Sequence, residues 1–145
     1  MAQENVEVVR SMIAAWNQRD QRASLALWDP DGEIDWSRST GPLKGIYRGH
    51  GERDIFWSEF MTTFVEAKLE AHSFTEAGAD IVVPNTVHIR GREGIEVTAR
   101  SALVFTLENR KITRMRLFQE HAEALEAVGL PGQDARTGAR RADFR

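Results

Sequence analysis

Apolar residues recur at helical spacing in the first part of the chain. Along residues 4–20, four of them lie three or four positions apart: Val6, Val9, Ile13 and Trp16. This spacing predicts a helix with one buried stripe. Residues 22–28 predict a second, short helix, which ends at a turn with the sequence Asp29-Pro30-Asp31-Gly32.

A short strand and a long loop are predicted next. Polar and apolar side chains alternate in residues 33–37, which places Glu33, Asp35 and Ser37 on one side of a strand. Residues 38–51 contain several glycines and predict a long loop of the kind that borders functional sites.

The remaining pattern predicts one more long helix and then strands. Residues 52–67 return to helical spacing with an aromatic-rich stripe. Strands separated by turns follow, and their order predicts an antiparallel meander: residues 68–75, 81–90, 95–107 and 111–120. Pro84 marks a bulge or an edge because proline cannot donate to a ladder. Residues 121–128 predict a last short helix.

Helices followed by a curved antiparallel sheet indicate an α+β fold. If the N-terminal helices cover the concave face of the sheet, the result is a cone whose mouth admits a small apolar ligand. We expect residues 1–131 to form this single domain. Residues 132–145 are basic and nearly free of apolar side chains, so we expect a disordered tail.

Composition narrows the class of protein. With 145 residues, 41% hydrophobic and 28% charged, the chain is typical of one globular domain. It has no apolar run of about 18 residues and an acidic start, which disfavours export and membrane spanning. The absence of cysteine excludes disulfides and thiol chemistry and is typical of the cytoplasm. A net charge of −3 disfavours nucleic-acid binding.

The sequence indicates neither a metal nor a cofactor. The four histidines lack metal-ligand spacing, and the acidic turn at Asp29 lacks the later ligands of a calcium loop. Gly49-His50-Gly51 precedes a helix but lacks the glycine or lysine of a phosphate-binding loop. We therefore expect chemistry or binding without a cofactor.

Strand and helix periodicity predicts which side chains line the cone. The expected apolar lining is Met12, Trp16, Trp57, Phe60, Val87, Leu103, Phe105, Met115 and Leu117. The expected polar groups are Asp35, Asn85, Ser101 and Gln119, with Glu33 on the same strand side as Asp35. Such a pocket suits a hydrophobic ring system with one or two oxygens. The alternative is that the aromatic stripe is ordinary core packing.

Asp35 is the candidate catalytic residue. A carboxylate that faces an apolar cone would have a raised pKa, which suits a general base. The alternative is that Asp35 pairs with an arginine at the rim or caps the following loop.

A basic set of side chains has the opposite strand parity: His88, Arg90, Arg100, Arg114 and Arg116. We expect this outer face of the sheet to be solvated or to form a homodimer contact. Two other interpretations stay open: an anion site, and ion pairs with Glu96 or Glu120.

Four local sequences resemble one family. They are Ala15-Trp16-Asn17-Gln18-Arg19-Asp20, the Asp29-Pro30-Asp31-Gly32 turn, Tyr47-Arg48-Gly49-His50-Gly51, and Lys111-Ile112-Thr113-Arg114-Met115-Arg116. Together they resemble the SnoaL-like branch of the nuclear transport factor 2-like superfamily over residues 4–130. The resemblance implies the cone fold, usually a homodimer, and relatives that include ketosteroid isomerases, epoxide hydrolases, polyketide cyclases, dehydratases and noncatalytic binders.

The resemblance places only part of the family's catalytic machinery in this chain. Asp35 falls at the general base of the ketosteroid isomerases, but Met12 and Leu103 occupy their oxyanion-donor positions. Against the epoxide hydrolases, the corresponding residues are Asn85, Val87, Leu117, Glu33 and Asp35 in place of an arginine, two aspartates and a tyrosine–asparagine pair. The acid of the polyketide cyclases is also absent near Leu103.

Two functions are expected from these observations. The first is a cofactor-free isomerase, cyclase or lyase that binds a small hydrophobic, cyclic metabolite and uses Asp35 for proton transfer. The second is a noncatalytic ligand-binding or partner-binding dimer of the same fold. Missing donors at Met12, Leu103 and Leu117 favour the second.

Overall fold

The computed structural model describes residues 2–132, so the predicted tail lies outside the described residues from position 133 onwards. The described chain contains four helices: α1 (Ala2–Asn17), α2 (Gln21–Leu25), α3 (Gly49–Thr63) and α4 (His121–Ala127). It also contains seven strands: β1 (Trp28–Asp35), β2 (Ile46–Arg48), β3 (Phe64–Ala71), β4 (Thr75–Ala77), β5 (Asp80–Gly91), β6 (Glu96–Glu108) and β7 (Lys111–Phe118). Among these residues, no helix combines the length and apolarity needed to cross a membrane.

The strands form one curved, unclosed sheet in the order β2-β1-β7-β6-β5-β3, with β4 also paired to β5. The α+β cone with N-terminal helices is confirmed. The sheet is mixed, however, because β1 runs parallel to β7, so the prediction of a purely antiparallel sheet is wrong. Alternation of side chains along a strand indicates its two faces but not its neighbours, and β1 joins the sheet beside the last strand of the meander.

The predicted turn at residues 29–32 is part of β1. Trp28 pairs with Ile112 and Glu33 with Arg114, and the register shifts between these pairs, so a β-bulge absorbs the Pro30 segment. Gly32 is required here: an added Cβ would lie 2.6 Å from Cε3 of Trp28. The short helix predicted for residues 22–28 therefore ends at Leu25.

Two other element boundaries differ from the predictions. The helix predicted for residues 52–67 ends at Thr63. Phe64 begins β3, and the hydrogen bonds of β3 to β5 replace the helical hydrogen bonds. The predicted loop of residues 38–51 contains β2 and the first turn of α3, where the Arg48 amide donates to Oε1 of Glu52 at 2.7 Å.

Pro84 lies in a central strand rather than at an edge. Residues 85–91 of β5 pair with β3, and residues 80–82 pair with β4. Pro84 lies between these two stretches, where the partner strand of β5 changes. The missing proline N–H therefore costs no ladder bond on that side. The Pro84 carbonyl still accepts from the His72 amide at 2.8 Å.

The sheet separates two apolar clusters. The larger cluster fills the concave side beneath α1 and α3 and includes Val9, Phe56, Phe60, Leu103 and Phe105. The smaller cluster lies on the outer face under α4: Val82, Ala102, Val104, Phe118, Ala124 and Leu125. Odd-numbered residues of β5 and β6 therefore face the helices, and even-numbered ones face outward. The concave packing is incomplete, and the space that it leaves is the candidate site.

Candidate ligand-binding site

A cavity of about 350 Å³ opens between the concave face of the sheet and helices α1 and α3. Its walls are mainly apolar and aromatic. The helices contribute Met12, Ile13, Trp16, Phe56 and Phe60. The strands contribute Phe64, Leu69, Val87, Ile89, Val97, Ala99, Leu103, Phe105, Met115 and Leu117.

Aromatic rings pack against one another in the part of the cavity wall that the helices form. The Trp16 ring packs edge-to-face against Trp57 and Phe60, with ring centroids 5.4 and 4.8 Å apart. Phe56 packs in the same way against Trp36 and Tyr47, each at 5.1 Å. Such contacts favour fixed ring positions in the helical wall.

The loop of residues 36–45, which we call the wall loop, forms one side of the cavity. Trp36, Ser39, Thr40, Gly41 and Pro42 line the space. The amide of Trp36 donates to the Gly45 carbonyl at 2.8 Å and closes the base of the loop. The glycine content of the sequence indicated a loop that borders a site, but the individual wall residues carried no separate signal.

Most of the predicted lining residues are brought together. The residues that line the cavity are Met12, Trp16, Phe60, Val87, Ser101, Leu103, Phe105, Met115, Leu117 and Gln119. Trp57 lies behind Trp16. Asn85 is 1% exposed and reaches the wall only through its hydrogen bond with Ser101.

Glu33 and Asp35 do not line this cavity. On β1, Ile34 belongs to the concave core and Trp36 packs against it, so Glu33 and Asp35 point to the outer face. The prediction that Asp35 faces an apolar chamber is therefore wrong. Alternation correctly separated the two sides of β1, but it could not indicate which side the helices cover.

Asp35 instead anchors the wall loop. Its Oδ1 accepts from the amide and the hydroxyl of Ser37 at 3.0 and 2.6 Å. Its Oδ2 lies 3.8 Å from Arg38 and 3.9 Å from Arg114. The alternative interpretation of the sequence, an ion-paired carboxylate that caps the loop, is the arrangement found.

The same contacts decide the direction in which the pKa of Asp35 moves. Burial raises the pKa of Asp35, but the Ser37 hydrogen bonds and the charges of Arg38 and Arg114 together lower it by more. The pKa therefore lies below its ordinary value. The expected raised pKa is wrong. At neutral pH this carboxylate is ionised and stabilises its surroundings.

Asp35→Asn is expected to reduce the free energy of unfolding at pH 7 by about 1–3 kcal/mol, because the hydrogen bonds from Ser37 lose the carboxylate charge and the ion pairs with Arg38 and Arg114 are lost. A lowered folded-state pKa contributes stability above the ordinary carboxyl pKa of about 4, and that contribution is lost as pH falls towards the folded value. Urea denaturation at pH 7 and pH 3 should therefore show a difference between wild type and variant that shrinks at pH 3.

The matched control is Asp31→Asn. Asp31 is exposed, and its carboxylate accepts no hydrogen bond within residues 2–132. Its replacement should change stability little at either pH. A pH-independent difference between wild type and Asp35→Asn would contradict the assigned anchoring role.

Four of the five basic residues expected on the outer face, all except Arg100, have acidic partners among the described residues. Arg90 lies 3.2 Å from Glu66, and His88 lies 3.7 Å from Glu70. Arg114 lies 3.3 Å from Glu33, and Arg116 lies 3.9 Å from Asp80. Ion pairing was one of the interpretations left open, but the partners are these acids rather than Glu96 or Glu120.

An α+β cone with helices over a concave sheet and an apolar cavity inside defines the class of NTF2-like, or cystatin-like, folds, to which several solved structures belong. Within this class, the profile of the SnoaL-like domain matches residues 9–115, and the chain belongs to the SnoaL-like family. The predicted family is confirmed. A search of curated proteins found no match.

Similar structures share the fold across most of the chain. TerC, co-crystallized with polyporic acid, is 24% identical with a TM-score of 0.73, covering 86% of this chain and 98% of TerC. An NTF2-like protein of unknown function from Burkholderia pseudomallei is 27% identical with a TM-score of 0.72, covering 87% and 98%. The epoxide hydrolase/cyclase-like enzyme SalBIII is 20% identical with a TM-score of 0.69, covering 81% and 91%.

Proposed function

We propose that this protein binds a small, hydrophobic, ring-containing metabolite in the cavity between α1, α3 and the concave sheet face. The observation that carries the proposal is the preformed cavity of about 350 Å³ with aromatic walls. This volume lies within the range of small-molecule sites, roughly 300–1,000 Å³. The family supports a ligand-binding domain, and TerC was co-crystallized with polyporic acid.

The chemistry of the walls indicates the kind of ligand. Rings such as Trp16, Phe56 and Phe60 offer flat apolar surface, and burying an apolar ligand there gains about 25 cal/mol for each Å² removed from water. Polar side chains on the wall are few: Ser39, Thr40, Ser101, Gln119 and the exposed Arg100 of β6, which was expected on the outer face. A ring system with one or two polar groups matches this distribution.

The second candidate is a cofactor-free isomerase, cyclase or lyase step on the bound ligand. The observation that favours it is the fold shared with SalBIII, described in connection with pyran ring formation in the polyether salinomycin. Within residues 2–132, however, no aspartate, glutamate or histidine lines the cavity. Asp35 contacts Ser37, Arg38 and Arg114 on the other side of β1. The geometry therefore supports binding better than proton transfer by Asp35.

The test is occlusion of the cavity. Ala99 lies on the wall in an exposed part of β6, so Ala99→Trp should fill the space without disturbing the buried core. We expect this variant to bind two- and three-ring aromatic compounds about tenfold more weakly or worse than wild type, which corresponds to about 1.4 kcal/mol. Titration calorimetry and ligand-dependent shifts in melting temperature measure the effect.

The matched control is Thr98→Trp. Thr98 is the neighbour of Ala99 on the same strand and has the opposite parity, where its hydroxyl contacts His88. The same bulk added there should leave affinity unchanged. Equal losses in both variants, or no binding of any compound by wild type, would refute the proposed cavity function. Turnover lost in Asp35→Asn at unchanged affinity would instead support the second candidate.

Homodimer formation through the outer sheet face stays a proposal. The face carries exposed charged residues around Arg90 and Arg114, and both are paired within the chain. In such a dimer, the second subunit would cover the Arg90–Glu66 and Arg114–Glu33 ion pairs. Analytical ultracentrifugation of wild type and a double charge reversal at these arginines would decide whether the face is an interface.

A further inference from the structure

Three polar side chains form a row across the concave face of the sheet. Asn85 on β5 is the register partner of Ser101 on β6. The β6–β7 pairing matches Ala102 with Phe118, and its continuation places Gln119 opposite Ser101. Directly opposite side chains on one sheet face lie about 5 Å apart. Ser101 and Gln119 line the cavity, whereas Asn85 is buried next to Ser101.

A backbone carbonyl decides the orientation of the Asn85 amide. Its Nδ2 donates to the Val83 carbonyl at 2.9 Å. Because that carbonyl has no hydrogen to give, the amide nitrogen rather than the amide oxygen must face it. Oδ1 of Asn85 therefore faces Ser101 and accepts from its hydroxyl at 2.9 Å. The single hydrogen of the Ser101 hydroxyl is thus committed inside the wall.

Gln119 is oriented in the same way. Its Nε2 donates to the carbonyl of Arg38 in the wall loop at 2.7 Å. The amide oxygen must then point away from that carbonyl, and within residues 2–132 it accepts no hydrogen bond. Gln119 keeps one further N–H that it can donate to a ligand. The Ser101 hydroxyl has no further hydrogen, so it can only accept a hydrogen bond from a ligand.

The wall loop has the opposite polarity. The hydroxyl of Ser39 accepts from the Gly41 amide at 3.1 Å, and no acceptor among residues 2–132 takes its own hydrogen, so that hydrogen can be donated to a ligand. The two hydroxyls on the cavity wall therefore differ, with an acceptor at Ser101 on the sheet and a donor at Ser39 on the loop. A ligand with one donating and one accepting group would be oriented by this difference.

We propose that the Asn85–Ser101–Gln119 row is an acceptor site that selects a hydroxyl or N–H group on the ligand ring. This inference rests on the proposed function, since it names the class of ligand for the same cavity. The ligand is then a phenol, an enol, an alcohol or an N–H heterocycle. A ketone or ether oxygen placed against Ser101 would meet lone pairs and lose a hydrogen bond that it makes in water.

The experiment compares 2-naphthol with 2-methoxynaphthalene. Both compounds have the same ring system and an oxygen that can accept, but only the naphthol donates. We expect the ratio of their affinities, naphthol over ether, to be roughly threefold to tenfold higher in wild type than in Ser101→Ala, which is the range of one net hydrogen bond. Ser101→Thr keeps the hydroxyl and should keep the wild-type ratio.

Asn85→Leu keeps the Ser101 hydroxyl but removes the amide oxygen to which it donates. Without the amide oxygen, the Ser101 hydrogen can rotate towards the ligand, so the ether should gain affinity relative to the naphthol. A wall that contributed only packing would not change the ratio, because the two compounds pack alike. Thermal unfolding of each variant verifies that it is folded before its ratio is measured.

The outcomes separate the two proposals. If both compounds bind wild type and the affinity ratio is the same in wild type and Ser101→Ala, the acceptor site is refuted and the hydrophobic cavity function stands. If neither these two compounds nor any other two- or three-ring aromatic compound binds wild type, the cavity function is refuted and the acceptor site with it.

Discussion

Phe56→Ala is expected to reduce the free energy of unfolding by about 3–5 kcal/mol, the range for removing a fully buried aromatic side chain. Phe56 lies on α3, is 2% exposed and lines the cavity. It packs edge-to-face against Trp36 and Tyr47 and lies 5.8 Å from Phe60. Since domains of this size are stable by about 5–15 kcal/mol, the loss approaches the limit that the fold tolerates.

Urea denaturation followed by tryptophan fluorescence measures this effect. The matched control is Ile55→Ala in the same helix turn, because Ile55 is 53% exposed. Its truncation should cost much less, within about 1 kcal/mol. Comparable losses at positions 55 and 56 would contradict the assignment of Phe56 to the central packing of the cone.

Arg53→Met is expected to have the second-largest effect, about 2–4 kcal/mol. The Arg53 residue is 5% exposed, and its Nη1 donates to the carbonyls of Gly32 and Pro30 at 2.8 and 3.3 Å. Its guanidinium lies 4.5 Å from the Trp28 ring centre. Methionine fills similar space but leaves buried carbonyl oxygens unpaired, at about 1–3 kcal/mol, and removes the cation–π contact.

Arg53→Lys distinguishes geometry from charge. Lysine keeps the charge but lacks the planar fork that reaches the bulged segment of β1 and stacks on Trp28, so we expect only partial recovery. The control for the substitution itself is Arg22→Met, at an exposed position whose side chain makes no hydrogen bond or ion pair within residues 2–132, and it should change stability by less than about 0.5 kcal/mol. A wild-type-like Arg53→Met would show that the carbonyls are satisfied by water.

The burial of Arg53 could not be predicted from the sequence. A charged residue within an amphipathic helix predicts an exposed position, and nothing in its neighbourhood indicates burial. Burial lowers its pKa, while the charges of Asp29, Asp54 and Asp31 act in the opposite direction. The β-bulge that exposes the Pro30 and Gly32 carbonyls to Arg53 exists only once β1 has paired with β7.

The SnoaL-like relationship transfers the fold more securely than the chemistry. Met12 and Leu103, where the sequence resemblance would place oxyanion donors, are apolar and line the cavity. Asp35, which the resemblance aligns with a general base, is bound by Ser37 and two arginines. Function on a shared fold is decided by the residues of the site, and here they form a mainly apolar wall.

The sequence by itself determined the fold class, the family and most of the concave wall. Helical spacing located α1 and α3, and alternation in β6 and β7 assigned Ser101, Leu103, Phe105, Met115 and Leu117 to one face. These are local properties, because side-chain direction follows the period of the chain within each element. Hydrophobic burial then requires the apolar side of each element to face the core.

Only the tertiary structure decided which way Asp35 points, how β1 pairs and which polar groups the wall offers. An acidic strand side is compatible with either face of the sheet, and the choice depends on arginines that are distant in sequence, such as Arg114. The acceptor character of Ser101 depends on Asn85 and the Val83 carbonyl, which β5 brings into register with β6. Such properties arise from contacts between elements, and no period along a single element encodes them.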